Sequence, residues 1–336
     1  MKAALITKPG HLSVEEIPDP APRDHEVVVQ VGTCGICGTD VHVYDGDYAA
    51  VREYPVIPGH EFWGTVVEAG PAVRTVRVGQ RVAVDPMDYC DACATCRSGW
   101  TNMCLNGGGL GTTAPGALAE YVAVNGARCE PLPDGLAPDL ASLVEPLSCV
   151  LHGLDRIGPV LGEDVLVLGS GPIGLMLAAL AAAAGAHVDV VDPRADRRAV
   201  APEFGARRVA ASAGEIAEDL AHGGWSVVAD CTGHPEAVAS GLAHLRRTGR
   251  LALLGIGGTG ATFPFAPFDV VARELTIVGV NSVRHTFGRA AALLAAGTIP
   301  AARLHGPALP LADTAAALEA TRRGAGLKTR VEVGHP

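Results

Sequence analysis

The chain has no basic run, no internal repeat and no low-complexity linker. Its formal net charge of −10 is spread along 336 residues. Without clustered lysine or arginine there is no footprint for nucleic acid, so the acidic balance speaks only of solubility. A membrane span is also missing. Residues 165–191 are almost wholly apolar, but Gly169, Gly171, Pro172, Gly174 and Gly185 interrupt them. That punctuation suits strand, turn, helix and strand better than a bilayer crossing. The opening MKAALITKPGHLSVEE turns polar too early for a secretory signal. Free thiols without such a signal fit a reducing compartment, and a cytoplasmic location is the expectation.

What is present points to two domains, each large enough for its own core. Forty-eight per cent apolar and 18% charged is a globular composition. Four of the nine cysteines, Cys90, Cys93, Cys96 and Cys104, fall within fifteen residues, spaced C-x2-C-x2-C-x7-C. Tetrahedral zinc takes four thiolates at about 2.3 Å, and C-x2-C steps let a tight loop fold round one ion. Such a site is closed to substrate, so its expected role is structural. A bacterial iron–sulfur run would end C-x3-C-P. Paired disulfides or a redox CxxC suit three cysteines at two-residue gaps less well. The remaining Cys34, Cys129, Cys149 and Cys231 read as small buried hydrophobes.

The texture changes along the chain. Up to about residue 80, short β-rich runs (2–6, 26–31, 62–68, 81–84) alternate with proline and glycine, and residues 118–124 read as another strand. A helix-like segment, PDLASLVEPLSCVLHGLDRI, follows. Then apolar runs VLVLG, VDVVD, SVVAD, RLALLG and TIVGV alternate with helical stretches, the pattern of a parallel sheet built from βαβ units. The tail carries two helices and a last strand-like run, TRVEV.

Gly169-Ser-Gly171-Pro172-Ile173-Gly174 follows the first of those strands and opens a helix. The first glycine permits a tight turn, the second admits a pyrophosphate to the backbone, and the third lets helix and strand pack closely. Asp192 ends the next strand, where a carboxylate accepts from ribose hydroxyls and repels a 2′-phosphate. NAD is therefore expected over NADP, a preference that Arg194, Arg197 and Arg198 weaken.

Upstream lie Cys37-Gly-Thr39-Asp40-Val-His42 and Gly59-His60-Glu61, and downstream Val-Glu145-Pro-Leu. Each alone is ordinary. Together with the cysteine loop and the glycine turn they make one pattern, and over essentially its whole length the chain resembles the zinc-dependent medium-chain dehydrogenase/reductase family. The nearest likeness is to its polyol (sorbitol-type) and threonine dehydrogenase branch. The resemblance implies an α/β fold: a GroES-like β-rich catalytic domain (1–150, with the zinc loop 90–104), a Rossmann doubly wound parallel-sheet domain (151–290), and a return to the catalytic domain (291–336). It implies two zinc ions per subunit and NAD.

Cys37 and His60 match catalytic zinc ligands, with Glu61 and Glu145 sharing or exchanging the remaining ligation. Asp40 matches an acid that orients His60. Thr39 and His42 match a proton relay running through the cofactor ribose. Arg197 matches a basic residue near the adenosine ribose. Thr232 ends a strand at the cofactor's edge, and Gly255 and Val280 fall where backbone reaches the nicotinamide.

The expected reaction is hydride transfer from a secondary alcohol of a polyol, sugar or cyclitol to NAD+. Threonine 3-dehydrogenase or a related amino-alcohol dehydrogenase is the alternative, and a non-catalytic dinucleotide-binding protein a remoter one. Two departures bear on substrate. The aromatic–arginine pair of sorbitol-type enzymes is replaced by Val280-Asn281-Ser282-Val283-Arg284, and no histidine shortly precedes Cys90. A homo-oligomer, dimer or tetramer, is implied, with residues 275–280 as an edge strand at the seam.

Overall fold

Short β-branched runs broken by proline and glycine in the first part of the chain join two strands from its end in one seven-stranded sheet. Its order is His305–Pro310, Lys328–Glu332, Glu26–Gly35, Glu61–Ala69, Arg81–Val84 and Cys129–Pro131, with Tyr121–Asn125 also paired to Glu26–Gly35. The computed structural model describes every residue except 219, 221, 222, 259, 335 and 336. Glu26–Gly35 is the central strand of this sheet. Val27, Val29 and Val31 are buried, as are Phe62, Val66, Val82 and Val84 on neighbouring strands and Leu118 in the segment before Tyr121–Asn125. Each fully buried side chain of that size contributes roughly 1.5–3 kcal/mol.

The chain divides into two compact units. One comprises Met1–Ser148, Val283–Ala296 and Ala301–Pro336; the other comprises Cys149–Ser282 and Gly297–Pro300. In the second unit six strands, all parallel, run in the order Arg208–Ala210, His187–Val191, Asp164–Leu168, Trp225–Asp230, Leu245–Leu253 and Thr276–Gly279. Numbered along the chain this is 3-2-1-4-5-6, the doubly wound order whose ligands sit outside the carboxyl ends of the strands. Val165, Leu166, Val167 and Leu168 are all buried, as a strand covered on both faces requires. The helix Pro172–Ala183 starts with proline in its first turn, where no N–H is needed, and buries every residue from Gly174 to Ala181.

The segment read as one helix is two, Pro138–Ala141 and Val144–Ile157. Pro146 lacks the N–H a continuous helix would need there, yet is tolerated in the first turn of a new one. The strand expected at 118–124 lies at Tyr121–Asn125. A short helix, Gly38–Asp45, stands in the otherwise β-rich opening. Among the described residues no helix is long and apolar enough to cross a membrane.

Candidate active site

The strand Glu26–Gly35 ends beside the helix Gly38–Asp45, and this junction sets Cys37 at the helix N-cap. Asp40, wholly buried, ties the junction together. Its carboxylate accepts from the backbone N–H of Cys37 and of Gly59, each at 2.9 Å. It also lies 3.6 Å from His60 Nδ1. One ligand atom each from Cys37, His60 and Glu61 then falls within 4.8 Å of the others. Burial works against charge on His60, but Asp40 and then Cys37 outweigh it and hold its pKa well above the usual histidine value. Burial likewise raises the Asp40 carboxyl, and His60 more than reverses that. A thiol, an imidazole and a carboxylate in a pocket that favours positive charge are a donor set suited to zinc.

Glu145 is buried at the start of the helix Val144–Ile157 but is not among that close set. A fifth residue, which sequence reasoning missed, joins the group: Lys328, buried in the last strand, pairs with Glu61. Lys328 Nζ donates to Glu61 Oε1 at 2.5 Å. Burial lowers the ammonium's pKa, and Glu61, then Cys37, then the more remote Glu145 push it well above the ordinary lysine value. Thr39 Oγ1 is 3.8 Å from Cys37 Sγ. His42 lies further along the same helix, half exposed, with Nδ1 2.9 Å from Asp47 Oδ1.

The second cysteine group is equally compact. Cys90, Cys93, Cys96 and Cys104 bring their sulfurs within 4.8 Å of one another. The Cys104–Cys90 sulfur separation is 3.5 Å, far beyond a disulfide. Backbone N–H groups of Cys93 and Cys90 donate to the sulfurs of Cys90 and Cys104, each at 3.3 Å. The Thr95 hydroxyl, followed by backbone donors, lowers the Cys93 thiol to about 5, while burial raises Cys96 to about 12. Four clustered thiols, two of them already biased toward thiolate, fit a closed tetrahedral zinc site.

Nearby, Arg284 lies over the Trp100 ring, 3.9 Å from its centroid, and donates to Gly99 O at 2.7 Å. It is thus engaged with this lobe. Of the other cysteines Cys34 and Cys129 are buried, but Cys149 and Cys231 are only half-buried.

In the second unit the glycine turn fits a dinucleotide. Gly169 has φ +93°, and a Cβ on Gly174 would lie 1.9 Å from Gly169 O. A Cβ on Gly171 would meet nothing within 4 Å, so the backbone there is open to a ligand. Pro172 and Ile173 begin the helix that follows. Asp192 closes the turn by accepting from Ser170 N at 2.8 Å and from Arg194 N at 2.9 Å. Arg197 sits half-buried in the short helix Ala195–Arg198.

At the ends of the next strands Asp230, also missed, organises the rim. Its carboxylate accepts from Thr232 N (3.0 Å), Thr232 Oγ1 (2.6 Å) and Gly233 N (3.1 Å). Its carbonyl accepts from Gly255 N at 2.9 Å. Val280 N donates to Leu253 O at 3.0 Å just beyond the edge strand. The only signal for Asp230 was an acid closing an apolar run.

A parallel sheet with this turn, together with a catalytic-type donor set and a four-cysteine lobe in the same chain, defines a class, the zinc- and dinucleotide-using dehydrogenases. The chain belongs to the zinc-dependent medium-chain dehydrogenase/reductase family. The alcohol dehydrogenase GroES-like domain matches residues 23–134, and the zinc-binding dehydrogenase domain matches 172–296. D-arabinitol dehydrogenase 1 of Uromyces fabae is 36% identical over 89% of this chain and 87% of its own length. L-threonine 3-dehydrogenase of Shewanella loihica is 33% identical over 88% and 89%. A zinc-binding dehydrogenase of Sinorhizobium meliloti 1021, solved bound to NADP, superposes with a TM-score of 0.93 at 35% identity and 98% coverage of both chains. The protein is accordingly an oxidoreductase of alcohol groups that uses zinc and a nicotinamide dinucleotide.

Proposed function

We propose that this enzyme oxidises a secondary alcohol of a polyol, sugar or cyclitol to the ketone with NAD+, holding two zinc ions per subunit. The observation that carries the reading is the convergence of Cys37, His60 and Glu61. Cys37, His60 and a carboxylate from Glu61 or Glu145 would hold the catalytic ion; Cys90, Cys93, Cys96 and Cys104 would hold the structural one. Zinc in the first site supplies the Lewis acidity that eases removal of the alcohol proton. Bound dinucleotide supplies the hydride acceptor. The chain's own residues do the rest. Asp40 orients His60 through the contact to Nδ1. Thr39 Oγ1 takes the proton from the substrate hydroxyl. His42, whose Nδ1 donates to the Asp47 carboxylate, accepts a proton at Nε2, its one basic nitrogen, and then releases it to solvent.

The polyol reading draws on a groove of about 800 Å³ in the same unit, where the polar Arg52, Glu53, Asn106, Thr112 and Thr113 stand among Leu5, Val56, Ile57, Leu105 and other apolar residues. The hydroxyl, amide and charged groups among them suit a chain of hydroxyls. The D-arabinitol dehydrogenase relative points the same way, and the threonine dehydrogenase relative keeps amino-alcohol oxidation as the second reading. For NAD, the support is Asp192, fixed by two backbone donors at the turn. The NADP-bound relative, with Arg194, Arg197 and Arg198 here, makes NADP the cofactor to test against it. A homo-oligomer is part of the reading.

The test is NADH or NADPH appearance with zinc-replete protein on polyols, inositols, aminocyclitols and L-threonine. Chelator-sensitive turnover of one polyol with NAD+ is expected. Turnover of L-threonine alone would replace the substrate class.

A further inference from the structure

The register between the strands Trp225–Asp230 and Leu245–Leu253 breaks in one place. Trp225 pairs with Leu245, but Val227 pairs with Arg250. Arg246, Arg247, Thr248 and Gly249 therefore loop out where the partner strand supplies only Ser226, a bulge far longer than the usual single residue. Thr248, a β-branched residue, has φ +60°, a left-handed conformation that costs on the order of 1–2 kcal/mol.

The bulge is clamped to the end of the helix Pro267–Ala272. Thr248 N donates to Arg273 O at 2.7 Å, and Arg247 Nη1 donates to Ala272 O at 2.8 Å. Arg273 reaches back to the carbonyl of Leu245, and its guanidinium also contacts Leu242 O at 3.4 Å. Arg246 is steadied by Glu163 at 3.2 Å. Each arginine is thus pinned by one or two contacts, and five N–H donors per guanidinium leave others to offer.

The three guanidiniums border one groove of about 650 Å³, completed by Gly223, Ala243 and Leu245, and among the described residues no carboxylate lines it. On a chain of net charge −10 this is a local reversal of sign. The groove lies at the amino ends of the parallel strands. The glycine turn, Asp192, Thr232 and Gly255 follow the carboxyl ends, a strand length of roughly 20 Å away. We propose that this groove is a second anion site, binding the phosphate or pyrophosphate group of a small organic phosphate through Arg246, Arg247 and Arg273. Planar guanidiniums held in fixed positions match such groups by paired charge-assisted hydrogen bonds.

The test is calorimetric titration of pyrophosphate into protein saturated with NADH, so that the glycine turn is filled, at constant ionic strength. Saturable binding of one equivalent is expected. Arg247→Ala, a change at an exposed side chain, should weaken it about tenfold while leaving NADH affinity unchanged. ADP in place of pyrophosphate shows whether the organic part adds affinity. Absence of saturable binding, or equal binding by Arg247→Ala, would overturn the proposal. Metal stripping by pyrophosphate would be equal in both proteins and so falls under the second outcome.

Discussion

Gly35 lies between Glu61 on one neighbouring strand and Lys328 on the other, and a Cβ there would come within 2.5 Å of Glu61 Oε2 and 3.2 Å of Lys328 Cε. Its missing side chain is what lets the ammonium reach the carboxylate. Lys328 therefore brings a positive charge to the Cys37–His60–Glu61 cluster from the last strand of the chain. Removing one partner of a buried pair leaves the other charge uncompensated, at a cost of about 3–5 kcal/mol. Lys328→Met should lose about that much stability in chelator-treated protein. It should lose less in zinc-loaded protein, where a metal held in the proposed site would offer Glu61 another cation. Equal losses in thermal melts of the two forms would contradict this. Cys37, His60 and Glu61 were legible through the resemblance that the combined motifs carry, each short stretch alone being ordinary. Lys328 was not, because its partner is 267 residues away and a lysine in a strand carries no local mark.

Among elements, the strand His187–Val191 shows how the nucleotide sheet tolerates a charge in its interior. Asp189, fully buried, accepts from Arg208 at 2.7 Å, Arg207 at 3.2 Å and Trp225 Nε1 at 2.8 Å. Burial alone would raise its carboxyl, but Arg208, Arg207 and Trp225 overcome this and hold it below the usual aspartate range. A depressed carboxylate stabilises the fold above its unfolded pKa, about 3.9, and that stability is lost as pH falls through the folded value. Asp189→Asn should thus cost about 1.5–3 kcal/mol at pH 7, the worth of the charge-assisted bonds it accepts. The gap to the parent protein should close as pH falls below about 3.9. A gap of the same size at pH 3 and pH 7 would refute the assignment. The parallel strands were readable from continuous apolar runs. The bulge at Arg246–Gly249 was not, since two arginines, a threonine and a glycine look like an ordinary connection until the register is known.

For the molecule as a whole, the change in texture from short punctuated strands to alternating apolar strands and helices made the fold class legible, and the chain belongs to the family that the combined motifs resembled. The strand order inside each sheet was not legible, because pairing such as Arg330 with Gly35 joins segments from opposite ends of the sequence. Substrate choice escapes the sequence for a related reason. The groove proposed for substrate draws on Leu5 and on residues scattered between 50 and 57 and between 105 and 115, which make no recognisable motif. Arg284, the arginine nearest the expected sorbitol-type position, is engaged by Gly99 and Trp100. The account rests on a metal held by Cys37 and required for hydride transfer. The most direct measurement is zinc content per subunit together with NADH formation for Cys37→Ser beside the parent protein. The expected result is loss of one zinc of two and of all turnover, with NADH binding retained. Unchanged zinc content and unchanged turnover would contradict the assignment.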